Sequence, residues 1–225
     1  LNTIEVHGAH YAHVRPHIVM FPQPTPTLPP ATHTNAYLIG EQELILVEQA
    51  SQPFQTDCVL MRELADRIEN GARLKAIILT HHHHDHWVNL VRFSDHFSAP
   101  IWAHKETAER VPFRIDHHLC DRDRISLCGG TELTVFHTPG HAPGHIVLLC
   151  EGSQTLIAGD MIAGIGTILI DPDDGGCMLN YLNSLEELIQ LKPSCLLPSH
   201  GPPIGGAVHR LGAYIKHRLS REEII

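Results

Sequence analysis

The stretch Leu79-Thr80-His81-His82-His83-His84-Asp85-His86-Trp87 constrains this chain more than any other. It follows a largely apolar run, residues 74–79, that reads as a buried strand. Metal-ligand side chains then occupy every position from 81 to 86. A helix gathers residues at spacings of three and four, so it cannot bring His81, His83 and His86 to one face. A continued strand would align positions 81, 83 and 85 and turn 86 away. The run is therefore expected to be a loop at a strand end, folded around something that takes imidazole and carboxylate together, as a transition metal does. Taken alone, the run is also compatible with a solvated His-rich loop. Ligand-type residues at other strand ends would decide between the two.

Residues 1–13 carry no readable element, and residues 14–21 read as a first strand. Prolines at 22, 24, 26, 29 and 30 predict an extended linker or edge, with a loop walling a cleft as the rival reading. Hairpins are predicted over 35–48 and 124–137, and a strand pair over 146–158. Short strands are predicted at 100–103 and 196–201, and irregular segments at 112–124 and 164–176. Helices are predicted at 54–69, 87–97, 105–110 and 181–191. Val208, Leu211, Ile215 and Leu219 predict a closing helix with a basic back of Arg210, Lys216, Arg218 and Arg221. Strand pairs alternating with single helices, without a break in composition, predict one layered α/β domain over residues 1–225.

No apolar run approaches 18 residues, so no membrane partner is expected. The first residues have no apolar core and are not expected to be a signal peptide. The absence of an initiator Met leads to the expectation of a processed or excised chain. The six cysteines form no CxxC pair and are expected to be small buried hydrophobes in a reducing cytoplasm. A net charge of −9 argues against a broad nucleic-acid-binding face, though not against a local basic groove.

Later strand ends do carry matching residues: His141 in Thr138-Pro139-Gly140-His141, Asp160 after Gly159, and His200 after Ser199. Each sits beside Gly or Pro, where the backbone bends. With His81, His83, Asp85 and His86 they make seven ligands, too many for one tetrahedral ion and suited to two.

The order T-H-x-H-x-D-H, T-P-G-H, G-D and S-H-G, spanning residues 80 to 201, resembles the metallo-β-lactamase superfamily. The resemblance implies a four-layer αββα sandwich with metals at one edge between the sheets. It implies that His81, His83 and His141 hold one ion, that Asp85, His86 and His200 hold a second, and that Asp160 bridges them. Two Zn2+ are the expected cofactors, with iron or manganese also compatible. A hydroxide shared by the ions would be the nucleophile, with Asp85 orienting it and passing a proton to the leaving group. His82 and His84 are expected to play supporting roles, His145 a structural one, and Trp87 to be core.

Three departures from the family pattern bear on the site's surroundings: Glu48-Gln49-Ala50 in place of Asp-Thr-Gly, Trp87-Val88-Asn89 in place of a small residue and two glycines, and Ser199 in place of Gly. Residues 159–167, 181–188 and 200–222 are similar to the β-lactamase-like protein 2 branch, whose members commonly add a helical C-terminal module that this chain is expected to lack.

The expected function is hydrolysis of an ester-type bond, in a phosphodiester, thioester, small ester or lactam. The substrate is either a small molecule or single-stranded RNA. Arg110, Arg114, Arg122, Arg124 and the basic helix back could guide a polyanion or could simply be a solvated face. The alternatives are an iron-dependent, persulfide-dioxygenase-like oxidoreductase, disfavoured in its diiron form by His83, and a non-catalytic metal binder.

Overall fold

Two mixed β-sheets face each other in the computed structural model, which describes residues 2–6, 9–51 and 59–222. The first sheet has eight strands in sequential order: β1 (Asn2–Val6), β2 (Ala9–Arg15), β3 (Ile18–Pro24), β4 (His33–Gly40), β5 (Glu43–Val47), β6 (Arg73–Ile78), β7 (Ile101–His104) and β8 (His117–Leu119). The second has six, ordered β14-β13-β12-β11-β10-β9: β9 (Arg124–Ser126), β10 (Glu132–His137), β11 (Ile146–Cys150), β12 (Thr155–Gly159), β13 (Cys195–Pro198) and β14 (Ile204–Gly205). Strands β5 to β8 run parallel to one another, as do β12 and β13.

The helices cover the outer faces. Helices α1 (Val59–Glu69) and α2 (Leu90–Phe97) pack on the first sheet, and α4 (Met178–Gln190) and α5 (Ala207–Glu222) on the second. The four-residue α3 (Lys105–Ala108) follows β7. Period-two alternation produces the layering. On β11, Ile146, Leu148 and Cys150 enter the core between the sheets, while Val147 and Leu149 meet the helices. On β5, Ile45 and Val47 point inward, and Leu44 and Leu46 pack outward near Leu60 and Leu64. Strands buried on both faces read as continuous apolar runs, which is why the central strands were legible. The αββα architecture matches the sequence expectation.

Several elements differ from expectation. Residues 1–13 contain β1 and most of β2, and the predicted strand at 14–21 splits at the Arg15–Ile18 turn. Pro22 and Pro24 lie in β3, paired with Asn35 and His33, so a linker reading fails there. Residues 26–31 instead wall a cavity, as the rival reading held. Helix α2 begins at Leu90 because a 3-10 turn, His84–His86, and Trp87 intervene, and Val91 is exposed. The predicted helix at 54–69 is described only from Val59, so residues 54–58 lie outside the described residues. Cys150 and Cys195 are buried, but Cys120 and Cys128 are exposed, and all five described cysteines are free thiols. Among the described residues, no helix is long and apolar enough to cross a membrane.

Candidate metal centre

The two sheets are fastened together at one end, and the centre lies there. The Ile146 amide donates to the Thr80 carbonyl at 3.0 Å, and the Asn35 amide to the Ser199 carbonyl at 2.7 Å. Asn35 Nδ2 and the Tyr37 hydroxyl both donate to the Pro198 carbonyl. The ends of β6, β10, β12 and β13 are thereby brought together, carrying His81 to His86, His141, Asp160 and His200. This placement follows the rule that open α/β sheets build sites outside strand termini.

All seven candidate ligands converge. His81 Nε2 lies 3.0 Å from His83 Nδ1 and 3.2 Å from His141 Nε2. A tetrahedral ion with bonds of about 2.0–2.1 Å spaces its ligands about 3.3 Å apart, so this trio fits one. In the second cluster, Asp85 Oδ1 lies 3.6 Å from His86 Nε2 and Asp85 Oδ2 lies 3.5 Å from His200 Nε2. Asp160 Oδ2 stands between the clusters, 3.6 Å from His141 Nε2 and His86 Nε2 and 3.4 Å from His200 Nε2. Each trio has its donor atoms within 4.8 Å of one another, close enough to hold a metal ion. His86 Nε2 and Asp160 Oδ1 are buried with no hydrogen-bond partner. Orphaned polar atoms are costly in a protein interior, and a cation between them would relieve that cost.

Each of the five histidines is anchored through its other nitrogen. His81 Nδ1 meets Thr80 Oγ1 at 2.9 Å and His83 Nε2 meets Asp174 Oδ2 at 2.8 Å. His86 Nδ1 meets Glu48 Oε2 at 3.2 Å. His141 Nδ1 donates to the Leu169 carbonyl at 2.7 Å and His200 Nδ1 to the His33 carbonyl at 2.9 Å. Such contacts fix the tautomer and leave the remaining lone pair aimed into the cluster, where a metal ion could take it.

His145 uses both nitrogens otherwise, Nδ1 on Thr138 Oγ1 and Nε2 accepting from the Asp160 amide at 3.0 Å. It is a post for Asp160, not a ligand. Gly159 must be glycine for the same reason: its φ is +51°, and a Cβ there would sit 2.5 Å from His145 Nε2. His82 shares Asp174 with His83 at 3.1 Å. His84 is exposed, with its ring edge on Trp87. Trp87 packs against Phe113 and donates to the His82 carbonyl, a structural position.

Two further residues support the site: Glu48, which the sequence marked only as a departure from the family pattern, and Asp174, which it did not mark at all. Glu48, 1% exposed, accepts from the Thr80 amide and from His86. Its φ of +66° is unusual for a residue with a side chain. That strain is held by its own amide bond to Ile78 and by the two carboxylate contacts. It stands at the end of apolar β5, the same strand-end signal that marked the other residues. Asp174 lies in a 3-10 turn, Pro172–Asp174, with no such signal. Glu48→Gln is expected to weaken metal affinity by about 10- to 100-fold, because the amide orients His86 less firmly. Titration with a competing fluorescent chelator measures it, and unchanged affinity would remove Glu48 from the site's support.

Charge divides the two clusters. Burial holds His81 well below the usual histidine range, reinforced by His86 and the other neighbouring histidines, and holds His141 at about 4. Burial also pushes His86 down, but Asp85, Glu48 and Asp160 outweigh it and the net direction is well upward. His200 likewise ends raised, with Asp160 outweighing burial. Burial raises Asp160, but His200 and His86 outweigh it and hold the carboxyl well below its usual range.

The arrangement is that of a metal-dependent hydrolase fold, and the comparisons agree. The chain belongs to the metallo-beta-lactamase superfamily, whose family model matches residues 29–200. A beta-lactamase-like protein 2 homolog from Caenorhabditis elegans is 28% identical over 198 residues, covering 85% of this chain and 64% of that protein. The homolog of the same name from Drosophila melanogaster is 29% identical over 204 residues, covering 85% and 66%. The chain thus spans slightly under two thirds of the length of both relatives. A hydroxyacylglutathione hydrolase from Bdellovibrio bacteriovorus is 35% identical over 128 residues, 57% of this chain and 49% of that one. Among solved structures, a metallo-beta-lactamase family protein from Thermus thermophilus has a TM-score of 0.74 at 25% identity, covering 94% of this chain and 82% of the other. A protein solved in a di-iron-bound form has a TM-score of 0.61 at 24% identity, covering 81% and 94%.

Proposed function

We propose that the chain is a dinuclear zinc hydrolase that cleaves an ester-type bond. The observation that carries this is Asp160 Oδ2, within 3.4–3.6 Å of three imidazole nitrogens drawn from both clusters. A carboxylate so placed would serve two ions, whereas one ion would need only four of the seven side chains. His81, His83 and His141 would hold one ion and Asp85, His86 and His200 the other, with Asp160 shared. When bound, two such ions lower the pKa of water to about 7 and polarise the scissile group.

The chain's own residues supply the rest. Asp85 lines the cavity and is the catalytic carboxylate: it accepts a proton from the attacking water and returns it to the leaving alcohol or thiol. Glu48, Asp174, Thr80 and the carbonyls of Leu169 and His33 hold the five imidazoles in place. His145 holds the Asp160 backbone. The same nitrogen and oxygen donor set also suits iron or manganese. Elemental analysis of the purified protein decides the matter. About two zinc per chain is expected; one iron per chain, with oxygen uptake on a persulfide, would replace the hydrolase with an oxidoreductase.

A further inference from the structure

Three of the seven large hydrophobic side chains exposed among the described residues, Leu28, Ile165 and Leu169, ring a single opening. Behind it lies a cavity of about 320 Å³ whose floor is His83, Asp85, His141, Asp160 and His200. Clustered exposed apolar groups mark binding surfaces more often than singly scattered ones do. These are fixed in position. The Ala31 amide donates to the Leu28 carbonyl and the Thr25 amide to the Thr32 carbonyl, closing the loop that carries Leu28. Leu169 is tied down because its carbonyl receives His141 Nδ1. Arg218 supports the same segment by donating to Thr167 and to the Ile168 carbonyl.

Beyond the ions proposed at the floor, the described lining offers an anionic tail no cation. No Lys or Arg lines the cavity among the described residues, while Asp171 and Asp174 do. Arg110, which lies beside Gly175, pairs with Glu106, and Arg218 donates to Thr167 and to the Ile168 carbonyl. The two ions proposed at the floor would supply positive charge to the scissile group, but no described Lys or Arg extends it along the lining to hold a polyanion. An adjoining cleft of about 410 Å³, sharing Pro30, Ala31 and Ile165, continues the mostly apolar path.

We infer that the substrate is a neutral carboxylic ester or thioester with an apolar acyl chain of medium length. This rests on the hydrolase reading above. The acyl chain lies along Leu28, Ile165 and Leu169, with its carbonyl at the floor. Water adds across the acyl C–O or C–S bond: the acyl carbon takes the hydroxyl, and the alcohol or thiol leaves with the other proton. A volume of 320 Å³ holds on the order of ten groups the size of a water molecule or methylene.

The test is a series of p-nitrophenyl esters and matching thioesters, acetyl to octanoyl, with the zinc-loaded protein. A fully buried methylene is worth up to about fourfold, so kcat/KM is expected to rise at least tenfold along the series. Leu28→Asp combined with Leu169→Asp should flatten that rise. Calorimetry with a non-hydrolysable octyl thioether gives a readout without turnover: binding with a negative heat-capacity change in the wild type, weakened at least tenfold in the double variant. A flat chain-length profile, or a preference for single-stranded RNA or succinyl esters, overturns the apolar-acyl inference and leaves a working hydrolase. No hydrolysis of any ester, thioester, lactam or RNA with two zinc bound overturns the hydrolase reading, and the inference with it.

Discussion

Asp160→Asn is expected to lower kcat/KM by at least about 10³-fold and to reduce bound metal from two ions per chain towards one. Asn keeps the size of the side chain and its backbone amide, so the contact with His145 Nε2 survives and the fold is expected to remain. The charge and one acceptor oxygen are lost. Asp160 Oδ2 faces His86, His141 and His200 together. An amide that turns its NH2 towards them presents hydrogens to nitrogens that need to ligate. Steady-state kinetics, elemental analysis and circular dichroism on the same preparation check the three parts. A variant that keeps two ions and more than a tenth of the activity would sink the bridging role. His81→Ala is expected to have a comparable effect from the other cluster, since His81 Nε2 sits between His83 and His141.

Residue type together with strand-end position made most of this centre legible before any coordinates. His81, His83, Asp85, His86, His141, Asp160 and His200 each follow a run whose burial is visible in composition, and chain topology then leaves them little freedom. Glu48 carried the same signal at the end of β5 but was read only as the strand's end and as a departure from the family pattern, because a lone carboxylate there gives no hint that its partners are His86 and the Thr80 amide. Asp174 was out of reach. It meets His82 and His83 from about ninety residues away, from a glycine-rich segment without periodicity.

In the fold, the central strands declared themselves through runs buried on both faces. Strand β2 did not, although Ala12 and Val14 are buried while His13 between them is exposed. That alternation is weak in hydropathy because the inward residues are few and the outward ones are histidine and arginine. The 3-10 turn at His84–His86 also hid the start of α2, since the apolar pattern from Trp87 onward gives no sign that the helix waits until Leu90.

Stripping the metal with a strong chelator is expected to lower Tm by on the order of 15 °C or more. An ion held at a thousand times its dissociation constant stabilises by about 4 kcal/mol, and two such ions by about twice that. In a chain of this size each kcal/mol moves Tm by about 2–4 °C. The shift should depend on pH, because ligands must shed protons to bind metal and the loss on chelation therefore grows from pH 6 to pH 8.

In the stripped protein two opposing terms set the profile. His81, His141 and His145 have folded-state values below that of the unfolded chain. Below about pH 6.5 the unfolded state binds more protons at these positions, so stability falls as pH falls. For His141 that loss runs down to about 4 and amounts to at most about 3 kcal/mol. His86 and His200 are raised, so their contribution is present below the unfolded value and is lost as pH rises through their folded values. A metal-free protein governed by both groups has its highest Tm near the unfolded histidine value and declines on either side. Scanning calorimetry from pH 4 to 9, with and without zinc, measures both curves. A chelator effect that is small and independent of pH would mean that the histidine cluster does not hold metal in solution, and the proposed chemistry would fail with it.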